Sequence, residues 1–340
     1  GAHRGRRASV GTMREHAVDR LERALSTDPP TIVAAGHLNW DVTIHVDELP
    51  TGDGETQIER LEQSGGGSAA NVAVGLVGLG GDAVVFGSVG GDESGAVALR
   101  ELAGAGVNPG HVLVDPDAQT SVTYVIVDAA GAVSLLANEG ANESFAAAGL
   151  DDAVLADADH LHLTGQRPET AASLATAAGD HGTPRSFDPG RRVGDRAYDD
   201  AIAAVDLLFV NDREADAVAA GTDVDPRAPT DHVVVITHGG GGATVHTPEG
   251  AVHHQGFPAE AVDTAGAGDA FAAGFLAATL GDPASEARAV PADPDAYRTP
   301  LVVANACGAI AAETVTARAS LSWDRLRRVV DADASTVRLE

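Results

Sequence analysis

One carboxylate in this chain follows directly on a glycine-rich turn. Asp263-Thr264-Ala265-Gly266-Ala267-Gly268-Asp269 runs into Ala270 to Leu276, an apolar, small-residue stretch that predicts a helix starting near Asp269. Glycines leave no side chain between the peptide N–H groups and a ligand. The helix turns its unpaired N–H groups and the positive end of its dipole back toward that turn. Such a site suits an anion, phosphate above all. Asp269 then has two readings: a helix cap, or a base set beside an anion hole. The N–H groups of Gly266, Ala267 and Gly268 are the candidate holders of the anion.

Other residues with chemistry stand at the ends of segments that read as strands. Asn39 and Asp41 follow a buried strand, Thr31 to Ala35, and Gly36. Gly65-Gly66-Gly67-Ser68-Ala69-Ala70-Asn71 pairs close-approach glycines with an amide that both donates and accepts. Gly165 and Gln166 lie past a strand's C-terminal end, where open α/β sheets bind ligands. Asn211 and Glu214 start a helix after the strand Ala204 to Val210. At that spacing they share one face, and their oxygens suit Mg²⁺. Val233 to Ile236 is a buried strand ending in Thr237-His238-Gly239-Gly240-Gly241-Gly242.

Composition narrows the chemistry. Among 340 residues all 22 basic ones are Arg, and the formal net charge is −28. Without lysine there is no Walker-A lysine and no Schiff base. Any phosphate must be held by backbone amides, Arg, hydroxyls or metal. The single cysteine, Cys307, excludes an intramolecular disulfide and a Cys-based zinc site. The acidic surface argues against nucleic acid or an anionic membrane as partner. No apolar run reaches the roughly 18 residues of a membrane span. An acid-rich, lysine-free surface fits a halophilic, salty cytoplasm, where molar salt shortens the Debye length to roughly 3 Å.

The elements that must position these residues read as one α/β domain over 31–330. An extension and amphipathic helix precede it (1–30) and a tail follows it (331–340). Strands alternate with helices after residue 150, which predicts a parallel sheet. Alternating stretches near 42–63 and 111–137 predict a discontinuous β lid, whose apolar face needs a cover. Pro283 to Thr299 reads as a surface loop. Gly78-Leu79-Gly80-Gly81-Asp82-Ala83 matches a loose dinucleotide fingerprint. However, a helix precedes it and a strand follows, the reverse of what an NAD-linked oxidoreductase needs.

Asp-Thr-Ala-Gly-Ala-Gly-Asp-Ala-Phe-x-Ala-Gly-Phe closely resembles the C-terminal signature of the PfkB family of ribokinase-like carbohydrate kinases. Gly66, Gly67 and Asn71 resemble its N-terminal signature, by motif order over roughly 31–325. The resemblance implies a ribokinase-like three-layer α/β/α fold with a mostly parallel central sheet and a small β-sheet lid. It implies an ATP-dependent kinase with Asp269 as general base and Asn39, Asp41, Gly66, Gly67, Asn71 and Gln166 around a sugar or nucleoside. Asn211 and Glu214 would hold Mg²⁺ through water; Thr237, Gly239, Gly242 and Asn305 would line the ATP site. Asp263 and the Ala265 carbonyl fall where some relatives bind K⁺. A homodimer through the lid is expected. A free sugar leads as acceptor, ahead of a nucleoside and 2-keto-3-deoxygluconate; Ser68 replaces a lysine that many relatives carry. A non-catalytic sugar- or nucleotide-binding protein on the same fold is the alternative from another class.

Overall fold

The computed structural model describes residues 18–130, 132–261, 264–281, 290–314 and 318–336. Its centre is a nine-stranded sheet in the order β13-β12-β11-β10-β9-β8-β1-β4-β5. On one side of the centre lie β1 (Thr31–Ala35), β4 (Asp82–Gly90) and β5 (Asn108–Asp115). On the other lie β8 (His160–Thr164), β9 (Arg185–Asp188), β10 (Leu207–Asn211) and β11 (Val233–Thr237). All of these pair in parallel. The hairpin β12 (Ala243–Thr247) and β13 (Gly250–His254) closes the edge antiparallel. Parallel strands buried on both faces favour continuous apolar runs; β1 and β11 are nearly such runs, with only the last residue of β11 and the first of β1 less than buried, whereas β8 buries His160 and His162, both paired with the Ser186 hydroxyl.

Helices cover both faces, which gives the expected three layers. One face carries residues 18–27 (α1), α2 (Ser68–Gly78), α8 (Ala267–Leu280), α9 (Arg298–Ala312) and α10 (Trp323–Thr336), all of which contribute to one apolar core. The other carries α4 (Asp152–Asp157), α5 (Pro168–Asp180), α6 (Asp199–Ala203) and α7 (Asp212–Gly221) over a second core. The strand order runs outward from β1 in two directions. The switch therefore lies between β1 and β8, and ligands of such sheets bind outside the carboxyl ends there.

The lid is a separate sheet, β3-β2-β6-β7: β2 (Asn39–Val46), β3 (Ile58–Gly66), β6 (Ser121–Val127) and β7 (Val133–Ala137). It corrects the expected boundary, because residues 111–115 belong to β5 and pair with β4 in the main sheet. The strand β5 continues the parallel ladder, so alternation alone could not assign it to the lid or the core. Trp40 and Val42 anchor the lid on Ala98 of α3 (Glu93–Gly104). Of the expected surface loop, residues 283–289 lie outside the described residues, and the remainder ends early. Tyr297 is fully buried and stacks on Phe275, with ring centroids 5.6 Å apart, and α9 begins at Arg298.

Candidate active site

Asp269 stands in the first turn of α8, whose N-cap, Gly266, has φ 74°. That left-handed conformation favours glycine. α8 and α2 approach closely through small side chains: a Cβ added to Gly75 of α2 would lie 2.8 Å from the Ala273 Cβ. α9 backs α8 in the same way, since a Cβ on Gly274 would lie 2.6 Å from the Cys307 Sγ. This packing brings residue 71 to residue 269. The Asn71 Nδ2 donates to the Asp269 Oδ2 at 2.8 Å. Ser68, in the first turn of α2, hydrogen-bonds the same carboxylate. The sequence reading missed Ser68, although its place three residues before Asn71 on a helix puts both on one face.

Desolvation raises the Asp269 pKa above the usual carboxylate range, against the two hydrogen bonds and the Arg318 charge that lower it. Arg318 is the second residue missed. Its Nε donates to the Asn71 Oδ1 at 3.3 Å and its Nη1 to the Glu101 Oε1 at 2.7 Å. Asp41 lies within its field. A lone Arg in a C-terminal segment carries no signal of this in the sequence. A Cβ on Gly66 would overlap the Asp41 Oδ2 and one on Gly67 the His37 carbonyl. Gly67, with φ 91°, is required by the backbone before β2, and at Gly66 the space is taken by the Asp41 carboxylate itself. Asn39 is held from behind: the Asn142 Nδ2 donates to its Oδ1 at 2.7 Å, and Asn142 accepts from the Leu38 amide at 3.2 Å.

Of the three amides expected to hold an anion, Ala267 N–H donates to the Thr264 carbonyl at 3.2 Å. The first-turn amides with no partner inside the helix are then those of Gly268 and Asp269. An added Cβ at Gly268 meets nothing within 4 Å, so this side of the turn is open.

The other expected residues divide. Asn211 and Glu214 form a capping box on α7: the Asn211 N–H donates to the Glu214 Oε2 at 2.9 Å and the Glu214 N–H to the Asn211 Oδ1 at 3.0 Å. Thr237 pairs with Asn211 at the adjoining strand ends. Gly239, with φ 56°, has no atom within 4 Å of an added Cβ, whereas a Cβ on Gly242 would overlap the His254 carbonyl. His238 joins this corner, with its Nδ1 2.9 Å from the Asp212 Oδ1. Asn305 is buried, and its Nδ2 donates to the Leu301 carbonyl at 2.7 Å. Gln166, expected around the acceptor, packs between two strand ends. It is fully buried, and its Nε2 donates to the Ala35 and Thr164 carbonyls at 3.2 and 3.1 Å. It ties the ends of β1 and β8 together through its Nε2, while its buried Oε1 has no hydrogen-bond partner. Asp263 lies outside the described residues; Ala265 is in the turn before α8.

Asp188, at the end of β9, connects the acceptor and nucleotide sides. Burial first, then the charges of Glu214 and Asp269, push its carboxyl up from 3.8 to about 8. Asp188 of β9 thus lies within the fields of Glu214 of α7 and Asp269 of α8, beside the glycine turn.

The family model described as pfkB family carbohydrate kinase matches residues 30–324. An ATP-dependent ribose-1-phosphate kinase of Halopiger xanaduensis is 48% identical over 86% of this chain and 95% of its own length. A nucleoside kinase of Methanothermobacter thermautotrophicus is 31% identical over 73% of this chain and 82% of its own. Among solved structures, Arabidopsis thaliana ribokinase complexed with ribose and ATP has a TM-score of 0.73 at 21% identity, covering 89% of this chain and 98% of that one. A nucleoside kinase of Burkholderia thailandensis in complex with inosine has a TM-score of 0.70 at 21% identity, covering 90% and 98%. The described fold, with its lid and central sheet, is the ribokinase fold. The chain belongs to the pfkB family of carbohydrate kinases, and it is a phosphotransferase whose acceptor is a hydroxyl group.

Proposed function

We propose that the protein transfers the γ-phosphoryl group of ATP to a hydroxyl of a pentose, with Asp269 as general base. One observation carries the reading. Residues from opposite ends of the chain, Ser68, Asn71, Asp269 and Arg318, meet at one carboxylate beside an open helix N-terminus. A helix cap needs none of these partners.

The chemistry follows from the residues. Asn71 and Ser68 fix the carboxylate's direction, and a raised pKa makes it a stronger base than an ordinary aspartate. Asp41 and Asn39 orient the sugar by accepting from its hydroxyls. The Gly268 and Asp269 amides face the charge on the phosphoryl group in flight, where oriented donors act with no reorganisation. Phosphoryl transfer asks mainly for positioning and charge stabilisation. The strand ends at Thr237 and Gly239 offer open backbone to the nucleotide phosphates. Asn211 and Glu214, at the strand end beside Thr237, are the residues that would hold Mg²⁺ through water, on the family resemblance; among the described residues no three His, Cys, Asp or Glu gather to bind a metal ion directly. When bound, Mg²⁺ would neutralise phosphate charge there. The K⁺ reading rests on the family resemblance at Asp263 and Ala265. Activity indifferent to replacing KCl by NaCl at constant ionic strength overturns it.

The relative at 48% identity supports a pentose 1-phosphate as acceptor ahead of the free sugar. A nucleoside is the second reading, on the relative at 31% identity and the form Gly-Gly-Ser-Ala-Ala-Asn. The protein works in a salty cytoplasm, as a homodimer through its lid. Steady-state kinetics at high KCl with ATP, Mg²⁺ and an acceptor panel test the assignment. Asp269→Asn is expected to lower turnover at least about a hundredfold with nucleotide affinity nearly intact. Unchanged turnover would refute the base.

A further inference from the structure

Three guanidiniums and the imidazole of His37, whose burial disfavours its charged form, converge where the lid meets the switch point. Arg196 Nη1 lies 2.6 Å from the Glu143 Oε1. Arg167 Nε and His37 Nε2 each stand 3.6 Å from the same carboxylate, too far for a hydrogen bond. Arg192 Nη2 lies 2.6 Å from the Glu139 Oε1 and close enough to His37 to act on its titration. The arginines and His37 come from the segments after β1, β8 and β9, at the ligand-binding edge of the main sheet, and Glu139 and Glu143 from the segment after the lid strand β7.

A solvated ion-pair network is the plain explanation, and two observations count against it. The chain has 22 basic residues against 50 acidic ones, yet here three guanidiniums surround two carboxylates. Arg167 and Arg192 are also only partly engaged, with 52% and 46% of their side chains exposed. A guanidinium carries five N–H donors in a planar fork that matches phosphate oxygens. The cluster is tied to the acceptor site through consecutive residues. Asn142 holds Asn39, and Glu143 holds the cations. Asn39 and Asp41 share one face of β2, about 7 Å apart along the strand. From Asp269 the order is therefore Asn71 and Arg318, then Asp41, then Asn39, then the cations. A pentose with its reacting hydroxyl at Asp269 reaches the cluster with a substituent on its far side.

We propose that Arg167, Arg192 and Arg196, with His37, form the subsite for a phosphate already carried by the acceptor sugar. The inference rests on the kinase reading and names its acceptor class, a sugar phosphate.

The test uses the full chain, wild type and the variants Arg167→Gln, Arg192→Gln and the double substitution, with thermal midpoints as the control for folding. Ribose 1-phosphate is titrated calorimetrically without nucleotide, and initial rates are measured with ribose 1-phosphate and with free ribose. Each single change is expected to weaken binding of ribose 1-phosphate roughly tenfold, the loss of one charge-assisted contact. The kcat/KM ratio of ribose 1-phosphate over ribose should fall in parallel, carried by KM. Unchanged binding in the double variant overturns the subsite, as does an equal loss toward free ribose or a wild type that does not bind ribose 1-phosphate. Binding lost in the variants, with no turnover by wild type on any acceptor, leaves the subsite standing and removes the kinase reading.

Discussion

At the scale of single residues the site is governed by carboxylates in an environment that resists their charge. Asp188 has its pKa raised to about 8 and Asp269 is raised in the same direction. For a raised carboxyl the folded state keeps its proton where the unfolded chain has lost it. The associated stability is present below 3.8, the ordinary value, and is lost as pH rises toward about 8. Asp188→Asn is therefore expected to flatten the fall of the thermal midpoint between pH 5 and pH 8.5. An unchanged slope in that variant would show that other groups set it. Catalysis runs the opposite way, because the base must be ionised. Turnover should drop on the acid side of the Asp269 pKa, and Asp269→Asn should remove that limb from the small residual rate.

At the scale of elements, close packing of small residues sets the distance between the functional groups. Gly75 and Gly274 leave no room for a larger side chain between α2, α8 and α9. Gly75→Val is expected to push α2 off α8, at a cost of about 1–3 kcal/mol in denaturant unfolding. It should also cut turnover more than Gly104→Ala, a helix position where an added Cβ meets nothing within 4 Å. Equal activities in the two variants would uncouple the packing from the site. The same elements explain what Gln166, Asn211 and Glu214 do locally. One ties two strand ends, and the others cap a helix.

At the scale of the molecule, charge and the lid decide behaviour in solution. A net charge of −28 repels itself at low salt, where the Debye length is about 10 Å near 0.1 M. The thermal midpoint is expected to rise steeply between about 0.1 M and 2 M KCl; a flat response would remove the halophilic reading. The lid leaves Leu61, Tyr124 and Leu136 at 49%, 43% and 61% exposure. Tyr124 and Leu136 sit in register with Val42, on the face opposite Asp41. Leu136→Asp is expected to convert a dimer to a monomer in sedimentation velocity. A wild type that sediments as a monomer would overturn the dimer.

The sequence by itself determined the class of fold, the parallel order of the later strands and the glycine turn that opens the helix of Asp269. Periodicity and turn chemistry are local and survive reading one residue after another. It also brought out Asp41, Gly66, Gly67 and Asn71, because their motifs are contiguous. Only the tertiary structure decided that Ser68 and Arg318 belong to the same carboxylate, that Gln166 is buried between two strand ends, and that residues 111–115 pair with the core sheet. Those facts depend on which distant elements come together. An isolated Arg or a half-exposed strand looks the same in sequence whether it meets solvent, a sheet edge or the reaction centre.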